Sequence, residues 1–365
     1  MRRALGVAGG NIVVAGGNII MDFSTQNSSA PLKPTLIAIA VTYQRPTWLE
    51  RSLMELDQQT VKPSRVVIID NAPSDESVEI ASRARGRGQS IEYLPQDENL
   101  GPAGAIAVGM NHVMSTTTLD ESAWVLLLDD DNPPSEHDDL ERLLTFADEM
   151  LRRDPSTAGV GKTGSRFIPS RARLSKVPDA PDLGPYRVDY IGGGQLPLFR
   201  LDAIRSVGAF DRRMFFGFDD LEFGLRLGYY GYRLYVDGTQ LNHRRALDHR
   251  RRSRDVHTGS AALRRWWRGL ESTFLVGAPP PWRHYYSTRN LIYILRSEGL
   301  VVAPLVVSVR SLAKPTLNVI RGTAKFNYIS LTCRAIVDGW RSIMGRRIDP
   351  PVDLPREGSA HAART

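Results

Sequence analysis

The sequence predicts an α/β fold in which helices flank a mostly parallel mixed sheet, followed by a helical C-terminal region. Short, continuously apolar segments are typical of strands that are buried on both faces. Between residues 36 and 128 such segments alternate with helical segments, an order that favours parallel strands joined by right-handed crossovers. From Trp282 to Gly345 the pattern is helical, amphipathic and basic.

The first part of the chain supplies most of the predicted sheet. Strands are predicted at residues 36–42, 65–70, 91–93 and 124–128. Helices are predicted from Thr47, as N-cap, to about Gln58, after Ser74, after Gly101, and from about Glu136 to Arg153. In parallel sheets, ligands bind at the carboxyl ends of the strands. Asp70 and Asp129 end two of these strands and are therefore candidates for a site.

The composition changes along the chain predict five segments. They are a leader (1–34), an α/β domain (35–245, with halves 35–131 and 132–245), a basic linker (246–281), a helical region (282–347) and a disordered tail (348–365). A signal peptide is disfavoured, because glycine and asparagine interrupt the apolar part of the leader. No transmembrane helix is expected, since the apolar segment from Leu300 to Val309 contains a proline and is too short to cross about 30 Å of hydrocarbon.

The basic charge predicts an anionic partner. The net charge is +7, and residues 242–270 contain nine arginines but only Asp248 and Asp255 as acids. This Arg-rich segment is either a solvated insertion or a patch that contacts anionic lipid or a pyrophosphate-linked acceptor. The helical C-terminal region is likewise interpreted as a peripheral membrane contact, a packed cap, or both. The single Cys333 excludes an internal disulfide and a cysteine-based zinc site.

Three consecutive carboxylates, Asp129, Asp130 and Asp131, directly follow an apolar strand. They repel one another unless a cation neutralises them. Because alternate residues of a strand point the same way, Asp129 and Asp131 are expected to converge on Mn²⁺ or Mg²⁺. Such an ion would bridge the two phosphates of a nucleotide sugar. The alternative is an acidic turn or a helix cap.

A second acidic group, Asp219, Asp220 and Glu222, lies among aromatic residues that include Phe218. An apolar wall raises a carboxyl pKa and suits the group to act as a general base. The alternative is an ordinary helix N-terminus with acidic residues in its first turn. His243 follows about twenty residues later, at the end of a strand-like segment. It is interpreted as either a metal ligand or a structural histidine.

Two glycine-containing segments are candidates for phosphate contacts. Residues 156–163 (STAGVGKT) resemble a P-loop, but Ser156 occupies the first glycine position and the segment follows the acidic strand end. An ATPase or GTPase is therefore disfavoured. Asn99-Leu100-Gly101 precedes a predicted helix and favours a phosphate or ribose contact.

In this order, the motifs resemble the family 2 glycosyltransferases, which have the GT-A fold. The resemblance runs from about Thr35 to His243 and is carried by residues 41–46 (VTYQRP), 67–72 (VIIDNA), 99–101, 129–131, 192–194, 208–211, 218–222, 231–232 and His243. It implies donor contacts from Thr42, Tyr43, Arg45, Asp70, Asn71, Asn99, Gly101 and Asp130, with Asp70 at the nucleobase. It also implies acceptor contacts from Gly193, Gly194 and Phe218.

Within that family, the aromatic-Asp-Asp-x-Glu pattern with a distal histidine is most similar to galactofuranosyltransferases, and rhamnosyltransferases share much of it. The resemblance implies an inverting reaction with Asp220 as base, Asp219 or Glu222 orienting the acceptor, and Asp129, Asp131 and His243 holding Mn²⁺ or Mg²⁺. The donor would be UDP-galactofuranose or dTDP-rhamnose. The acceptor would be a cell-wall glycan or a polyprenyl-diphosphate-linked glycan, reached from the cytoplasmic face of the membrane.

The resemblance has two departures and two competing hypotheses. The chain is much shorter than the polymerising galactan enzymes, so it resembles an initiating or single-addition transferase more than a polymerase. Pro102-Ala103 replaces a glycine pair common in the galactofuranosyltransferase subgroup. A non-catalytic nucleic-acid-binding protein would use the Arg-rich segment, but the acidic motifs would repel phosphate, so no nucleic-acid partner is expected. A degenerate transferase serving as a partner subunit is disfavoured, because the acidic positions are intact.

Overall fold

The computed structural model describes residues 12–15, 18–21, 35–118, 122–177, 184–239, 241, 280–320 and 327–350. The chain divides into two compact units, Met1–Pro34 and Thr35–Thr365. In the first unit, β1 (Ile12–Ala15) pairs antiparallel with β2 (Asn18–Met21). All other elements belong to the second unit.

The first half of the second unit follows the predicted order. Its elements are β3 (Thr35–Thr42), α1 (Pro46–Asp57), β4 (Arg65–Asp70), α2 (Asp75–Gly86), β5 (Ile91–Pro95), α3 (Gly101–Thr116), β6 (Ala123–Asp129) and α4 (Asp139–Arg153). Ser74 caps α2 by accepting a hydrogen bond from the Ser77 backbone N–H. The prediction that Thr47 caps α1 was wrong: Arg45 is the N-cap and Pro46 begins the helix. Proline suits this position because its fixed φ is helical and the missing N–H would have no partner there.

The second half contains strands of which the sequence revealed only one, in the strand-like segment before His243. They are β7 (Thr157–Gly161), β8 (Ser165–Ile168), β9 (Arg173–Lys176), β10 (Pro185–Val188), β11 (Leu198–Arg200) and β12 (Arg233–Asp237), with α5 (Leu201–Val207) and α6 (Asp219–Tyr229). The P-loop-like segment is the buried strand β7, and Lys162 pairs with Asp139 rather than facing a cavity for phosphate. This placement agrees with the rejection of an ATPase or GTPase.

Eight strands form the main sheet in the order β10-β12-β7-β11-β6-β3-β4-β5. Strands β3 to β6 are parallel to one another, whereas β11 runs antiparallel between β6 and β7. The ends of β3, β4 and β6 therefore meet at one edge, where Thr42 pairs with Asp70 and Val41 with Asp129. Since β11 runs the opposite way, the residues just before it lie at that same edge.

Both faces of the sheet are buried, which explains the continuous apolar strands. Alternate residues such as Ile37 and Ile39 belong to one core cluster, while Ala38 and Ala40 belong to the other. One layer contains α3, α5 and α6, and the other contains α1, α2 and α4. The predicted α/β class with a mixed, mostly parallel sheet is confirmed.

The C-terminal region consists of α7 (Pro281–Ser297), α8 (Val302–Ile320) and α9 (Asn327–Trp340), as the helical prediction required. The apolar face of α7, with Leu291 and Leu295, shares a core cluster with Met214 and Leu221. The helix thus packs on the segment that leads into α6. Among the described residues, no helix is long and apolar enough to cross a membrane.

Candidate active site

The acidic motif lies at the end of β6, and its three carboxylates have different surroundings. Asp130 is buried and accepts hydrogen bonds from Thr42 Oγ1 (3.0 Å) and Arg45 Nη1 (3.4 Å). Asp131 is more exposed and accepts from Arg45 Nη1 (3.1 Å) and Asn132 Nδ2 (2.7 Å). Arg45 therefore ties two of the three carboxylates to the loop after β3.

Negative charge dominates the surroundings of Asp129. Burial raises its pKa to about 7, and the charges of Asp131, Asp130 and Asp219 add to the effect. Burial also raises the pKa of Asp130 to about 6, although Arg45 and the Thr42 hydroxyl oppose the increase. A bound cation would relieve this repulsion and return the carboxylates to their ionised form.

The second acidic group lies in the first turn of α6. Asp219 is buried and Asp220 is half-buried, and desolvation raises the pKa of each carboxyl. The charge of Asp220 further raises the pKa of Asp219, and the charge of Asp129 further raises that of Asp220. The two acidic motifs, about ninety residues apart in the sequence, thus form one cluster of carboxylates.

Three consecutive glycines, residues 192–194, line this cluster a few residues before β11. A Cβ atom on Gly192 would lie 3.3 Å from Asp220 Oδ2, and one on Gly193 would lie 2.7 Å from Asp129 Oδ2. A Cβ on Gly194 would lie 3.0 Å from Asn132 Nδ2. Because glycine has no side chain, the backbone closely approaches both carboxylates and leaves them room for a ligand.

Glu222 lies in different surroundings from the other two acids of α6. Its carboxylate forms a bidentate ion pair with Arg226, at 2.9 and 3.0 Å. Arg226 in turn donates to the carbonyls of Val207 and Ala209. Glu222 borders a second cavity, together with Tyr229 and Tyr230 among others, and does not line the cavity beside Asp129.

The backbone that leads into α6 adopts uncommon conformations. Phe215 has φ 61° and ψ −63°, and Phe216 N–H donates to Met214 O across it (2.7 Å), which defines a classic γ-turn. Gly217 and Phe218 also have positive φ, and Phe218 is the N-cap of α6. Such strained backbone persists only where neighbouring structure holds it in place.

Helix α7 holds this strained segment through two buried side chains. Asn290 Nδ2 lies within hydrogen-bonding distance of the carbonyls of Met214 (3.0 Å), Phe216 (3.0 Å) and Gly217 (2.8 Å). Arg289 Nη2 donates to Met214 O at 2.9 Å, and Arg289 is fully buried. The C-terminal region therefore positions the helix that bears Asp219 and Asp220.

A cavity of about 360 Å³ opens beside the acidic motif. It is lined by residues predicted from the sequence, namely Thr42, Tyr43, Arg45, Asn71, Asn99, Gly101, Asp129, Asp130 and Asp131. It is also lined by Phe215, Phe216, Trp282, Arg283 and Pro350, which the sequence analysis missed. Asp70 does not line it: the side chain is fully buried and accepts from Ala72 N–H (2.9 Å) and Tyr93 Oη (2.8 Å).

The loop before α3 forms one wall of this cavity, and two asparagines fix its shape. Asn71 Nδ2 donates to Gly101 O (3.2 Å), while Asn99 Oδ1 accepts from Gly101 N–H (2.8 Å). Gly101 has φ +68°, and a Cβ atom there would lie 2.2 Å from Phe215 O. The loop thus lies in direct backbone contact with the γ-turn at Phe215, and only glycine fits at this position.

Gly101→Ala is therefore expected to destabilise the protein by about 2–4 kcal/mol, because it combines a left-handed backbone with a clash against another backbone. Chemical denaturation measures the free energy of unfolding of the variant and the parent. Gly86→Ala is the matched control, since no atom lies within 4 Å of its added Cβ. Equal stabilities of the two variants would contradict the described contact.

Several predicted features lie outside the described residues. They are His243, the Arg-rich segment and the tail after Pro350. Within the described part of the chain, no group of three or more His, Cys, Asp or Glu side chains is arranged to hold a metal. Asp129 and Asp131 are thus the two predicted ligands that can be placed.

The comparisons with known proteins find similarity to glycosyltransferases. Residues 37–161 match the model of glycosyl transferase family 2. Galactofuranosyltransferase GlfT1 of Mycolicibacterium smegmatis is 28% identical over 203 residues, covering 52% of this chain and 64% of the relative. N-acetylglucosaminyl-diphospho-decaprenol L-rhamnosyltransferase of Mycobacterium tuberculosis is 28% identical over 249 residues, covering 58% of this chain and 76% of the relative.

The alignment thus spans slightly less than two thirds of the galactofuranosyltransferase. Among solved structures, S. aureus TarS 1–349 in complex with UDP-GlcNAc has a TM-score of 0.48 and 13% identity, over 84% of this chain and 81% of that one. Residues 37–161 include most of β3, all of β4 to β7 and the acidic motif. The part of the chain that contains the acidic motif therefore resembles glycosyl transferase family 2, and the mixed sheet followed by a helical C-terminal region is the architecture that the sequence predicted.

Proposed function

We propose that the protein is an inverting, metal-dependent glycosyltransferase that moves a sugar from a nucleotide donor to a glycan acceptor. One observation carries the proposal. The glycine segment 192–194 lies against both Asp220 and Asp129, next to a cavity of about 360 Å³. This proximity supports a single site in which the acid cluster would hold the donor's metal and the half-buried Asp220 would face the acceptor.

Mn²⁺ or Mg²⁺ would be held by Asp129 and Asp131, with His243 as a further ligand. The fit rests on the half-buried Asp129, whose pKa is raised by desolvation and by neighbouring negative charges that a hard cation would neutralise. When bound, such an ion stabilises the departing diphosphate as a Lewis acid. Arg45 and Thr42 hold Asp130 in place at the cavity wall through hydrogen bonds to its carboxylate.

Asp220 would act as the general base in a single displacement. Its carboxylate takes the proton of the acceptor hydroxyl, whose oxygen bonds to the anomeric carbon while the bond from that carbon to the diphosphate oxygen breaks. The half-buried setting that raises the pKa of Asp220 makes it a stronger base than an exposed carboxylate. Asp219 would orient the acceptor, whereas the ion pair of Glu222 with Arg226 favours a supporting role.

Galactofuranose and rhamnose are the favoured sugars, carried by UDP and dTDP. The names of the two relatives support this choice, and that of the rhamnosyltransferase specifies a diphospho-decaprenol acceptor. We therefore propose a polyprenyl-diphosphate-linked or cell-wall glycan acceptor.

A transfer assay with purified protein tests the proposal. UDP-galactofuranose and dTDP-rhamnose are each incubated with Mn²⁺ and a short-chain polyprenyl-diphosphate glycan. We expect one donor to give a product with inverted anomeric configuration, and EDTA to abolish its formation. Product of retained configuration would contradict the assignment of Asp220 as base.

We also propose that the protein works at an anionic membrane surface. Five aliphatic residues at or just before the start of α8, with 44–72% exposure, form one stripe: Val301, Val302, Leu305, Val306 and Val309. The helix also contains the exposed Arg310, and its sequence has no acidic residue. An apolar stripe beside basic charge is typical of helices that lie in the bilayer interface.

Leu305→Glu combined with Val309→Glu is expected to weaken binding to vesicles that contain anionic lipid by about tenfold or more, because it places two charges in the inserted stripe. Vesicle co-sedimentation measures this. Val78→Glu is the control, since Val78 is 46% exposed on α2 and lies outside the stripe. Unchanged vesicle binding by the double variant would refute the proposed contact.

A further inference from the structure

Two arginines line the cavity beside the acidic motif, and their environments differ. Arg45 bonds to Asp130 and Asp131, so carboxylates already balance its charge. Arg283, in the first turn of α7, is exposed and forms no ion pair with any described residue. Unlike Arg45, Arg283 therefore has a charge that no described carboxylate balances and that a ligand in the cavity can use.

Aromatic rings hold the Arg283 guanidinium at the cavity wall. Its central carbon lies 5.2 Å from the ring centroid of Phe216 and 5.1 Å from that of Trp282. Both rings also line the cavity, and they contact each other at 4.8 Å between centroids. Stacking of this kind restricts the planar group and leaves its N–H edge free to donate two parallel hydrogen bonds.

Helix α7 both bears Arg283 and positions α6. Asn290, two turns further along α7, donates to the backbone carbonyl of Phe216, whose ring lies under Arg283. The arginine, its aromatic support and the segment leading to Asp219 and Asp220 are therefore linked through α7. This linkage fixes Arg283 relative to the carboxylates of the site.

We propose that Arg283 binds a diphosphate group inside this cavity. The inference rests on the proposed transferase function and deepens it. A diphosphate carries several negative charges on adjacent tetrahedral groups, and a guanidinium matches that geometry with two donors. In a cavity that also contains three carboxylates, a second cation besides the metal offsets the charge that the diphosphate brings.

The diphosphate has two potential sources, the nucleotide donor and a polyprenyl-diphosphate acceptor. If the nucleotide donor supplies the diphosphate, Arg283→Ala is expected to weaken binding of the nucleoside diphosphate by about 10- to 100-fold. A loss of this size is expected when a charge-assisted contact is removed. Binding of the nucleoside monophosphate should change by no more than about threefold. Arg283→Lys should recover part of the affinity, because it keeps the charge without the planar fork.

Calorimetry in the presence of Mn²⁺ measures these affinities, with UDP and UMP or dTDP and dTMP as the probes. Arg51→Ala is the matched control: Arg51 is also an exposed arginine stacked on a tryptophan, with its guanidinium 5.8 Å from the Trp48 ring, but it does not line the cavity. Since Arg283 is exposed, its variants are expected to fold, and thermal denaturation checks this.

The acceptor source is tested by steady-state kinetics. If Arg283 binds the acceptor, Arg283→Ala leaves nucleotide affinity unchanged but raises KM for a diphosphate-linked acceptor, and not KM for a phosphate-free glycoside. The inference is overturned if nucleotide affinity and both KM values stay at parent levels, or if diphosphate and monophosphate affinities fall equally. A parent protein that binds no nucleoside diphosphate would instead overturn the proposed function itself.

Discussion

Asp220→Asn is expected to lower kcat by about 10²- to 10⁴-fold, the usual contribution of a general base. The amide keeps the shape of the side chain and cannot take the acceptor proton. Donor affinity should stay within about threefold of the parent value, because the proposed role of Asp220 concerns the acceptor and the proposed metal ligands are left intact. Initial-rate kinetics and nucleotide calorimetry on the same preparation measure both quantities.

A matched control separates this loss from a general effect of removing a helix-terminal acid. Asp75 also lies in the first turn of a helix, α2, where it is exposed and outside the cavity. Asp75→Asn should leave kcat unchanged. If Asp220→Asn retained kcat near the parent value, the base would have to be another residue, with Asp219 the nearest candidate.

Asn290→Ala should destabilise the protein by about 2–4 kcal/mol, because it removes a buried donor and leaves carbonyl groups without a partner. Those carbonyls belong to Met214, Phe216 and Gly217, which precede α6. Loss of the support should also let the strained turn at Phe215 relax, and so misplace Asp220. We therefore expect a lower kcat even in the folded fraction of the variant.

Denaturant unfolding gives the free energy of unfolding of Asn290→Ala. Kinetics at a temperature where the variant is fully folded gives its kcat. Asn111→Ala is the control, since Asn111 is an exposed asparagine within α3. An Asn290→Ala protein that is destabilised but fully active when folded would show that α7 supports the fold without positioning the catalytic helix.

The first half of the α/β domain could be predicted from the sequence because its strands are buried on both faces. Such strands leave a continuous apolar pattern, as in Arg65–Asp70, whose bounds were predicted correctly. The acidic motif was equally visible, since three carboxylates directly after a buried strand repel one another and so indicate a cation site. The resemblance then placed the predicted base in the same site, and the structure brings Asp220 close to Asp129.

The strands β7 to β9 could not be predicted, for reasons that differ between them. In β7, a sequence rich in glycine and alanine has weak strand propensity and becomes a strand because its neighbours in the sheet bury it. Strands β8 and β9 form a separate antiparallel pair with a mixed polar pattern. Local sequence carries little information about either arrangement.

The contribution of the C-terminal region to the site was missed for a different reason. Trp282 and Arg283 reach the cavity only because α7 packs on the segment before α6, a contact between residues about seventy positions apart. The structure shows the polar pair Arg289-Asn290 fully buried on a largely apolar face of α7. Buried polar side chains need hydrogen-bond partners. Arg289 and Asn290 find them in the backbone carbonyls of the segment that leads into α6.

The most direct test of the central claim is a calorimetric titration with UDP, dTDP and GDP, each with and without Mn²⁺. We expect one nucleotide to bind only when the metal is present, and Asp129→Asn to remove this binding from a protein that remains folded. Absence of binding by any nucleotide to the folded parent would contradict the account. So would nucleotide binding that needs no metal and survives the loss of Asp129.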